Sequence, residues 1–179
     1  MSDDTRQHPT GTRRWAALFA AAFLLLAGLV GGTGTAAATT GSSAGVLVTN
    51  CNHSGGTGTL QSANYVRIQG DGAAVGAVQL CSSGSSYWGY IVFYAAVQPG
   101  NWGQVRLDRI RGGSVIGSWN CDSSGGNGYV QPGQTQCWTP SINRGTTTDV
   151  FQAVGVSCFG NTHPYCTSTD AWGRTLATS

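Results

Sequence analysis

Five aspartates and two histidines follow residue 38, and these side chains could perform acid–base chemistry. A hydrolytic triad would need His53 or His163 beside an aspartate and a nucleophilic serine. Each histidine lies in a predicted loop near a cysteine, outside any catalytic signature. The segment GSSAG at residues 41–45 matches the G-x-S-x-G pattern, but that pattern requires a strand before the serine and a helix after it. Neither is predicted there, so the match does not indicate a nucleophile.

The aspartates are scattered along the chain, and the sequence contains no glutamate to share glycoside cleavage with them. Asp108 is expected to pair with Arg106 on the solvated face of one strand. Asp71 and Asp122 stand beside glycine or serine, where aspartate favours turns. No calcium-loop pattern is present. The sequence therefore predicts a protein that is not an enzyme and that holds no metal ion or cofactor.

Six cysteines lie between residues 51 and 166, and an even number favours disulfides over a free thiol. Zinc is the competing interpretation, but there is no C-x-x-C pair, and His163 is poorly spaced from the cysteines on either side of it. A bridge between sequence neighbours would close a modest loop and stabilise the fold by about 2–4 kcal/mol. We expect Cys51 to pair with Cys81, Cys121 with Cys137, and Cys158 with Cys166.

The first 38 residues have the order of an export signal. Arg13 and Arg14 precede an apolar run over residues 15–30, and alanines at 36–38 form an A-x-A cleavage site. The run is shorter than the roughly twenty residues that span a bilayer, which favours cleavage over an uncleaved anchor. The general secretory route is favoured over the twin-arginine route, because six cysteines fold best after they reach an oxidising compartment. We expect a signal peptide at 1–38, a mobile leader at 39–45 and one extracellular β domain at 46–179.

The composition after residue 38 excludes several kinds of partner. That part of the chain contains six arginines and five aspartates, and the chain has no lysine. This balance gives no basic patch for nucleic acid and no basic amphipathic helix for a membrane surface. The remaining protein is expected to be a monomer. Helix-forming residues are scarce while Gly, Thr, Val, Ser and aromatics abound, which is typical of β structure.

Short apolar segments separated by turn residues predict the strands. They lie at residues 46–49, 65–69, 75–80, 87–97, 102–111, 114–120 and 150–157. Residues 87–97 are apolar or aromatic on both faces, so that strand should be central. Pro140 limits residues 136–142 to an edge or to the end of a strand, and the tail after Cys158 is expected to be irregular. The predicted fold class is all-β, a small barrel or sandwich of seven to eight short antiparallel strands with disulfide bonds.

Tryptophans are the residues of most interest for binding, since their flat faces and polar edges suit sugars and protein interfaces. Trp88, Trp119 and Trp138 are expected in the core. Trp102 follows a Pro-Gly-Asn turn and Trp172 lies in the tail, so these two are predicted to be exposed and to bind a ligand.

The segments VQLC at 78–81, YWGYI at 87–91 and CWTPSI at 137–142 resemble a family of small secreted actinobacterial proteins of unknown function. The resemblance covers residues 65–155. It implies a small extracellular β domain and transfers no functional residue.

Together these observations predict a secreted, non-catalytic protein that binds a cell-envelope polysaccharide or an extracellular protein. A protease inhibitor would instead present a rigid loop, and residues 121–137 between two cysteines are the candidate. A structural surface or spore-coat component would self-associate. A small extracellular hydrolase is the least favoured alternative, and it would need His53 or His163 beside an aspartate in a cleft.

Overall fold

The computed structural model describes Leu47 and residues 50–53, 56–166 and 170–179. The predicted signal peptide and leader lie outside these residues, as does the strand predicted at 46–49 except for Leu47, which has no strand conformation. The described part of the chain contains eleven strands and no helix. The strands are β1 (Asn52–His53), β2 (Gly56–Thr57), β3 (Thr59–Ile68), β4 (Ala74–Ser83), β5 (Ser86–Phe93), β6 (Trp102–Arg111), β7 (Ser114–Asn120), β8 (Gln136–Trp138), β9 (Ile142–Asn143), β10 (Val150–Cys158) and β11 (Ala171–Arg174).

Eight of the described strands follow one continuous path, in the order β7-β6-β10-β11-β3-β4-β5-β8. All of these neighbours are antiparallel, and β9 adds a short pairing with β5. The sheet curls into a half-barrel, while β1 and β2 form a separate two-stranded ribbon. The predicted all-β antiparallel fold with disulfide bonds is therefore confirmed.

Turn residues in the sequence flank the long strands. β6 and β7 coincide with the predicted segments 102–111 and 114–120, and β10 extends the predicted segment 150–157 by one residue. β5 pairs with β4 on one side and with β8 and β9 on the other, which confirms its central position. The expectation of an irregular tail is wrong at β11, which inserts between β10 and β3.

The core lies on the inner face of the curl, where strands that are distant in the sheet order approach one another. A Cβ atom added at Gly89 of β5 would lie 2.9 Å from Val105 of β6 and 3.5 Å from Ala153 of β10. Small residues at this point let the two sides of the curl pack closely. The buried side chains around them include Val66, Val78, Leu80, Ile91, Val105, Leu107 and Phe151.

All six cysteines lie among the described residues, and the three predicted pairs are confirmed. The Cys121–Cys137 bridge has a particular place in the topology. Cys121 follows β7 directly and Cys137 lies in β8, so the bridge joins the two strands at opposite ends of the sheet order. Val130, between them, exchanges backbone hydrogen bonds with Gly103 of β6 at 2.8 and 3.1 Å. The open side of the half-barrel is thus tied by a covalent bond and a backbone bridge.

The outer face of β4 and β5 is covered by the segment that carries β1. Cys51, Cys81, Trp88 and Tyr90 form a second buried cluster there. The backbone amide of Cys51 donates to the side-chain oxygen of Gln79 at 3.0 Å, which secures the segment to β4. The outer face of β3, β11, β10 and β6 has a different character, because Arg67, Trp172 and Arg106 are exposed on it.

Candidate functional site

The structure brings His163 beside Asp122, the juxtaposition that the hydrolase alternative required. Nε2 of His163 lies 2.9 Å from a carboxylate oxygen of Asp122, and the side-chain amide of Gln104 donates to the same oxygen at 2.7 Å. The imidazole stacks on Tyr129 at 3.9 Å and meets the edge of Trp102 at 4.8 Å. Within the described part of the chain, His163 makes no hydrogen bond to a hydroxyl group. The pair therefore packs the loop between Cys158 and Cys166 against Trp102 of β6.

His53 lies between two tryptophans, one in β5 and one in β8. Its ring centroid is 5.1 Å from that of Trp88 and 6.1 Å from that of Trp138. Burial lowers the pKa of His53, and a hydrogen bond with the backbone of Thr139 opposes this shift. The imidazole packs against both indole rings. Ser43, the serine at the centre of the GSSAG match, lies outside the described residues.

The prediction that Trp102 is exposed is wrong. Its side chain is only 4 % exposed, because the rings of Tyr129 and His163 cover it. His163 lies in the loop closed by Cys158 and Cys166, so a distant part of the chain buries the start of β6. A tryptophan covered in this way offers no face to a ligand. The core assignment is correct for Trp88, whereas Trp119 and Trp138 are half-buried.

Trp172 is exposed, as the sequence predicts, and its side chain is 43 % accessible. It lies on β11, directly opposite Arg67 of β3 and Val156 of β10. Shallow grooves of about 430 and 500 Å³ flank it on the two sides. The groove toward β3 is lined by Asn64, Tyr65, Arg67, Ile68 and Gln69, and the groove toward β10 and β6 by Gln69, Arg106, Asp108, Gln152 and Val154. Both grooves include Trp172 and Arg174.

Two arginines adjoin Trp172 without a carboxylate partner among the described residues. The guanidinium of Arg174 lies 5.6 Å from the centre of the Trp172 ring, and that of Arg67 lies 4.6 Å from the Tyr65 ring. Arg67 also donates to the backbone oxygen of Gly72 at 2.8 Å. We call the four side chains Tyr65, Arg67, Trp172 and Arg174 the Trp172 surface. They combine two aromatic rings with two positive charges on adjacent strands.

Backbone contacts hold β11 in place and so position the Trp172 surface. A Cβ atom at Gly173 would lie 2.1 Å from the carbonyl oxygen of Tyr65, so only glycine lets β11 approach β3 this closely. The hydroxyl of Thr175 accepts a hydrogen bond from the amide of Ala153 at 3.0 Å. Tyr65, Arg67 and Arg174 were not predicted to be neighbours of Trp172. The available signal was alternation in AWGR and YVR, which places each arginine on the same face as an aromatic two residues earlier.

The remaining strong electrostatic contacts are structural ion pairs. Arg106 binds Asp108 through two hydrogen bonds of 2.8 Å, which confirms the expected pairing. The expectation that Asp108 lies on a solvated surface is wrong, because it is 3 % exposed and also accepts from Ser118 at 2.6 Å. A hydrogen bond from Arg111 lowers the pKa of Asp149 below its ordinary value, and Thr146 contributes in the same direction.

A third groove, of about 400 Å³, lies at the end of β5 and is more apolar than the Trp172 surface. Val75, Phe93, Tyr94, Val97 and Phe159 supply its larger apolar side chains. Burial raises the pKa of the Tyr94 hydroxyl, with a smaller contribution from Tyr65 in the same direction. Tyr94 and Phe159 are each 36 % exposed at this groove.

The loop considered as an inhibitor site, residues 121–137, is attached to the sheet. Both of its cysteines are buried. The amide of Gly133 donates to the carbonyl of Val97 at 2.8 Å, and the amide of Val97 donates to the carbonyl of Gln134 at 2.9 Å. The loop is therefore part of the closure of the half-barrel, and a role in inhibition stays a prediction.

No group of three or more His, Cys, Asp or Glu side chains in the described ranges is arranged to hold a metal ion. The same residues include no helix of the length and apolarity that crossing a membrane requires.

Comparison with known proteins gives no relative for this chain: no family model matches it, and neither a curated protein nor a solved structure shows significant similarity. The resemblance to small secreted actinobacterial proteins therefore stays a prediction.

Proposed function

We propose that this chain is a secreted, non-catalytic, monomeric protein that binds a cell-envelope polysaccharide through the Trp172 surface. The observation that carries the proposal is the exposure of Trp172 on a regular sheet, between two grooves. An indole ring exposed between two grooves offers a flat apolar face that a ligand can cover.

The chemistry of the surface suits a sugar chain. A tryptophan ring has a flat apolar face and a polar edge, which complements the apolar C–H face and the hydroxyl edge of a pyranose. The side-chain amides of Asn64, Gln69 and Gln152 line the adjoining grooves and can exchange hydrogen bonds with hydroxyl groups. Because strands hold Asn64, Gln152 and Trp172, binding requires little ordering of the backbone there.

The extracellular location in this proposal is supported by two independent features. Residues 1–38 have the order of an export signal, and all six cysteines form disulfides. Such bridges persist in oxidising compartments. The secreted location brings the Trp172 surface within reach of envelope polysaccharides.

An extracellular protein partner is the second candidate function. The observation that favours it is the apolar groove beside Tyr94 and Phe159, since exposed aromatics are frequent anchors of protein interfaces. Binding there would leave the Trp172 surface without a role.

The proposal is tested by retention of the purified protein, residues 39–179, on insoluble peptidoglycan, chitin and cellulose. Trp172→Ala removes the proposed stacking ring. Tyr165→Ala is the matched control, because Tyr165 is 75 % exposed and lines neither groove beside Trp172. We expect the parent protein and the control to be retained on at least one polymer and Trp172→Ala to be lost from it. Size-exclusion chromatography of all three checks that they are monomeric and folded.

Absence of retention on every polymer would overturn the polysaccharide proposal and favour a protein partner. Equal retention of Trp172→Ala and Tyr165→Ala would show that a polysaccharide binds elsewhere on the molecule. Self-association of the parent protein without ligand would favour the structural surface component instead.

A further inference from the structure

The charges around Trp172 restrict the kind of polysaccharide that can bind. Elsewhere in the described chain, Arg106 is neutralised by Asp108, and Arg109 and Arg111 both contact Asp149. Arg144 donates to the hydroxyl of Tyr87 instead. Arg67 and Arg174 have no such carboxylate, so the Trp172 surface carries two uncompensated positive charges.

The aspartates closest along the sequence do not reach these guanidinium groups. Asp71, in the turn after β3, accepts a hydrogen bond from the amide of Ala73 at 2.8 Å. Asp170, just before β11, accepts from the amide of Phe159. Both carboxylates thus accept hydrogen bonds from backbone amides.

The two guanidinium groups are held in place and retain donors for a ligand. Arg67 donates one hydrogen bond to the carbonyl of Gly72 and packs against Tyr65, while Arg174 packs against Trp172. A guanidinium has several N–H donors in a planar fork, which matches the oxygens of a carboxylate or a phosphate. Arg67 is directly opposite Trp172, and Arg174 is two residues along the same strand, about 7 Å away. A ring stacked on Trp172 would therefore present its substituents to both arginines.

We infer that the polysaccharide is anionic: Trp172 stacks on a sugar ring while Arg67 and Arg174 bind carboxylate or phosphate groups of the same chain. This inference rests on the proposed function and names the class of its ligand. Nucleic acid shares the combination of rings and negative charge, but it is bound through many phosphate contacts. The six arginines and five aspartates after residue 38 do not provide them.

The test compares polymers that differ in charge but share a backbone. Binding of residues 39–179 is measured by affinity electrophoresis in polygalacturonate and in its methyl-esterified form. Dextran phosphate, whose sugar rings carry phosphate groups, forms a third arm, and single-stranded oligothymidylate a fourth. The variants are Arg67→Gln, Arg174→Gln and, as a matched control, Arg144→Gln, which removes an arginine that lines neither groove beside Trp172. Thermal unfolding of each variant verifies the fold.

We expect binding to polygalacturonate or to dextran phosphate, and the arm that binds identifies the carboxylate or the phosphate. Arg67→Gln and Arg174→Gln should each weaken it by about three- to tenfold, since charge-assisted hydrogen bonds at an exposed site are modest. Arg144→Gln should leave it unchanged. Equal, Trp172-dependent binding of the ester and the acid overturns the inference and leaves the proposed function intact. No binding to any of the three polysaccharides, together with Trp172-dependent retention on an insoluble polymer, overturns the inference and leaves the proposed function intact. The same result without retention on any insoluble polymer overturns both, and binding to oligothymidylate alone replaces them with a nucleic-acid site.

Discussion

The Cys121–Cys137 bridge is expected to stabilise this fold more than its loop length alone would indicate, because it joins the two end strands of the curled sheet. The perturbation is the double substitution Cys121→Ala and Cys137→Ala. It removes the covalent tie between β7 and β8 while keeping every other side chain. The matched control is the pair Cys158→Ala and Cys166→Ala, whose bridge closes a loop in the tail.

The magnitude follows from loop length and burial. A sequence separation of 16 residues corresponds to about 3 kcal/mol of chain entropy, and the control separation of 8 residues to about 2.5 kcal/mol. Cys121 and Cys137 are both fully buried, so each replacement also leaves space worth about 1 kcal/mol in the core. In the control pair only Cys158 is buried. The free energy of unfolding should therefore fall by about 5 kcal/mol when the Cys121–Cys137 bridge is removed and by about 3.5 kcal/mol when the control bridge is removed.

Two measurements check this expectation. Urea denaturation, followed by tryptophan fluorescence, gives the free energy of unfolding of each variant. The amide of Val130 donates to the carbonyl of Gly103 at 2.8 Å on the open side of the half-barrel. Hydrogen exchange at this amide reports local opening of that side. In the variant without the Cys121–Cys137 bridge, protection at Val130 should fall by more than the loss of global stability accounts for. In the control variant it should not. Equal destabilisation of the two variants, with Val130 protected alike, would refute the structural role given to this bridge.

Three further results are expected. Trp102→Ala should cost about 3–5 kcal/mol in urea denaturation without changing retention on a polysaccharide, because this ring is buried away from the Trp172 surface; loss of retention in a folded variant would contradict the assignment. Gly155→Ala should cost about 1–3 kcal/mol, since its Cβ would lie 2.9 Å from Ile91, and an unchanged unfolding midpoint would show that the core is looser than described. The hydrogen bond from Arg111 lowers the pKa of Asp149 below its ordinary value of 3.8, so this carboxylate stabilises the fold above that pH and loses its effect as the pH falls further. Asp149→Asn should accordingly be less stable than the parent at pH 7, and the gap between their unfolding midpoints should narrow at pH 3; a constant gap would mean that Asp149 does not titrate differently in the folded state.

The strands that the sequence predicts best are those bounded by turn residues. Gly112 and Gly113 separate β6 from β7, and both adopt positive φ angles that suit glycine. The disulfide pairs were also predictable, since each cysteine pairs with its neighbour in the sequence. These features depend on local conformation or on short loops, which a single sequence expresses directly.

The errors concern residues whose environment is made by distant parts of the chain. β11 has four residues, and its strand conformation depends on pairing with β10 and β3. Trp102 follows an exposed turn, but His163, about sixty residues later, covers it. Asp108 is buried by Ser118 of the neighbouring strand. Such contacts are set by the topology of the sheet, which alternation along one strand does not encode.

Only part of the candidate site could be predicted, because it too is assembled from distant parts of the chain. Exposure of Trp172 could be anticipated from its polar surroundings in the tail. The two arginines beside it could not, because Arg67 precedes Trp172 by more than a hundred residues and meets it only through the pairing of β3 with β11.

The central claim, that the Trp172 surface binds a polysaccharide, is tested most directly by the indole N–H signals of the folded protein in an NMR titration. After residue 38 the chain contains five tryptophans, each with one such signal, and Trp172→Ala assigns the one that matters. With a soluble fragment of a retained polymer, we expect the Trp172 signal to shift in a saturable way while those of Trp88 and Trp102 stay fixed. A saturable shift confined to another tryptophan, with Trp172 unmoved, would contradict the claim.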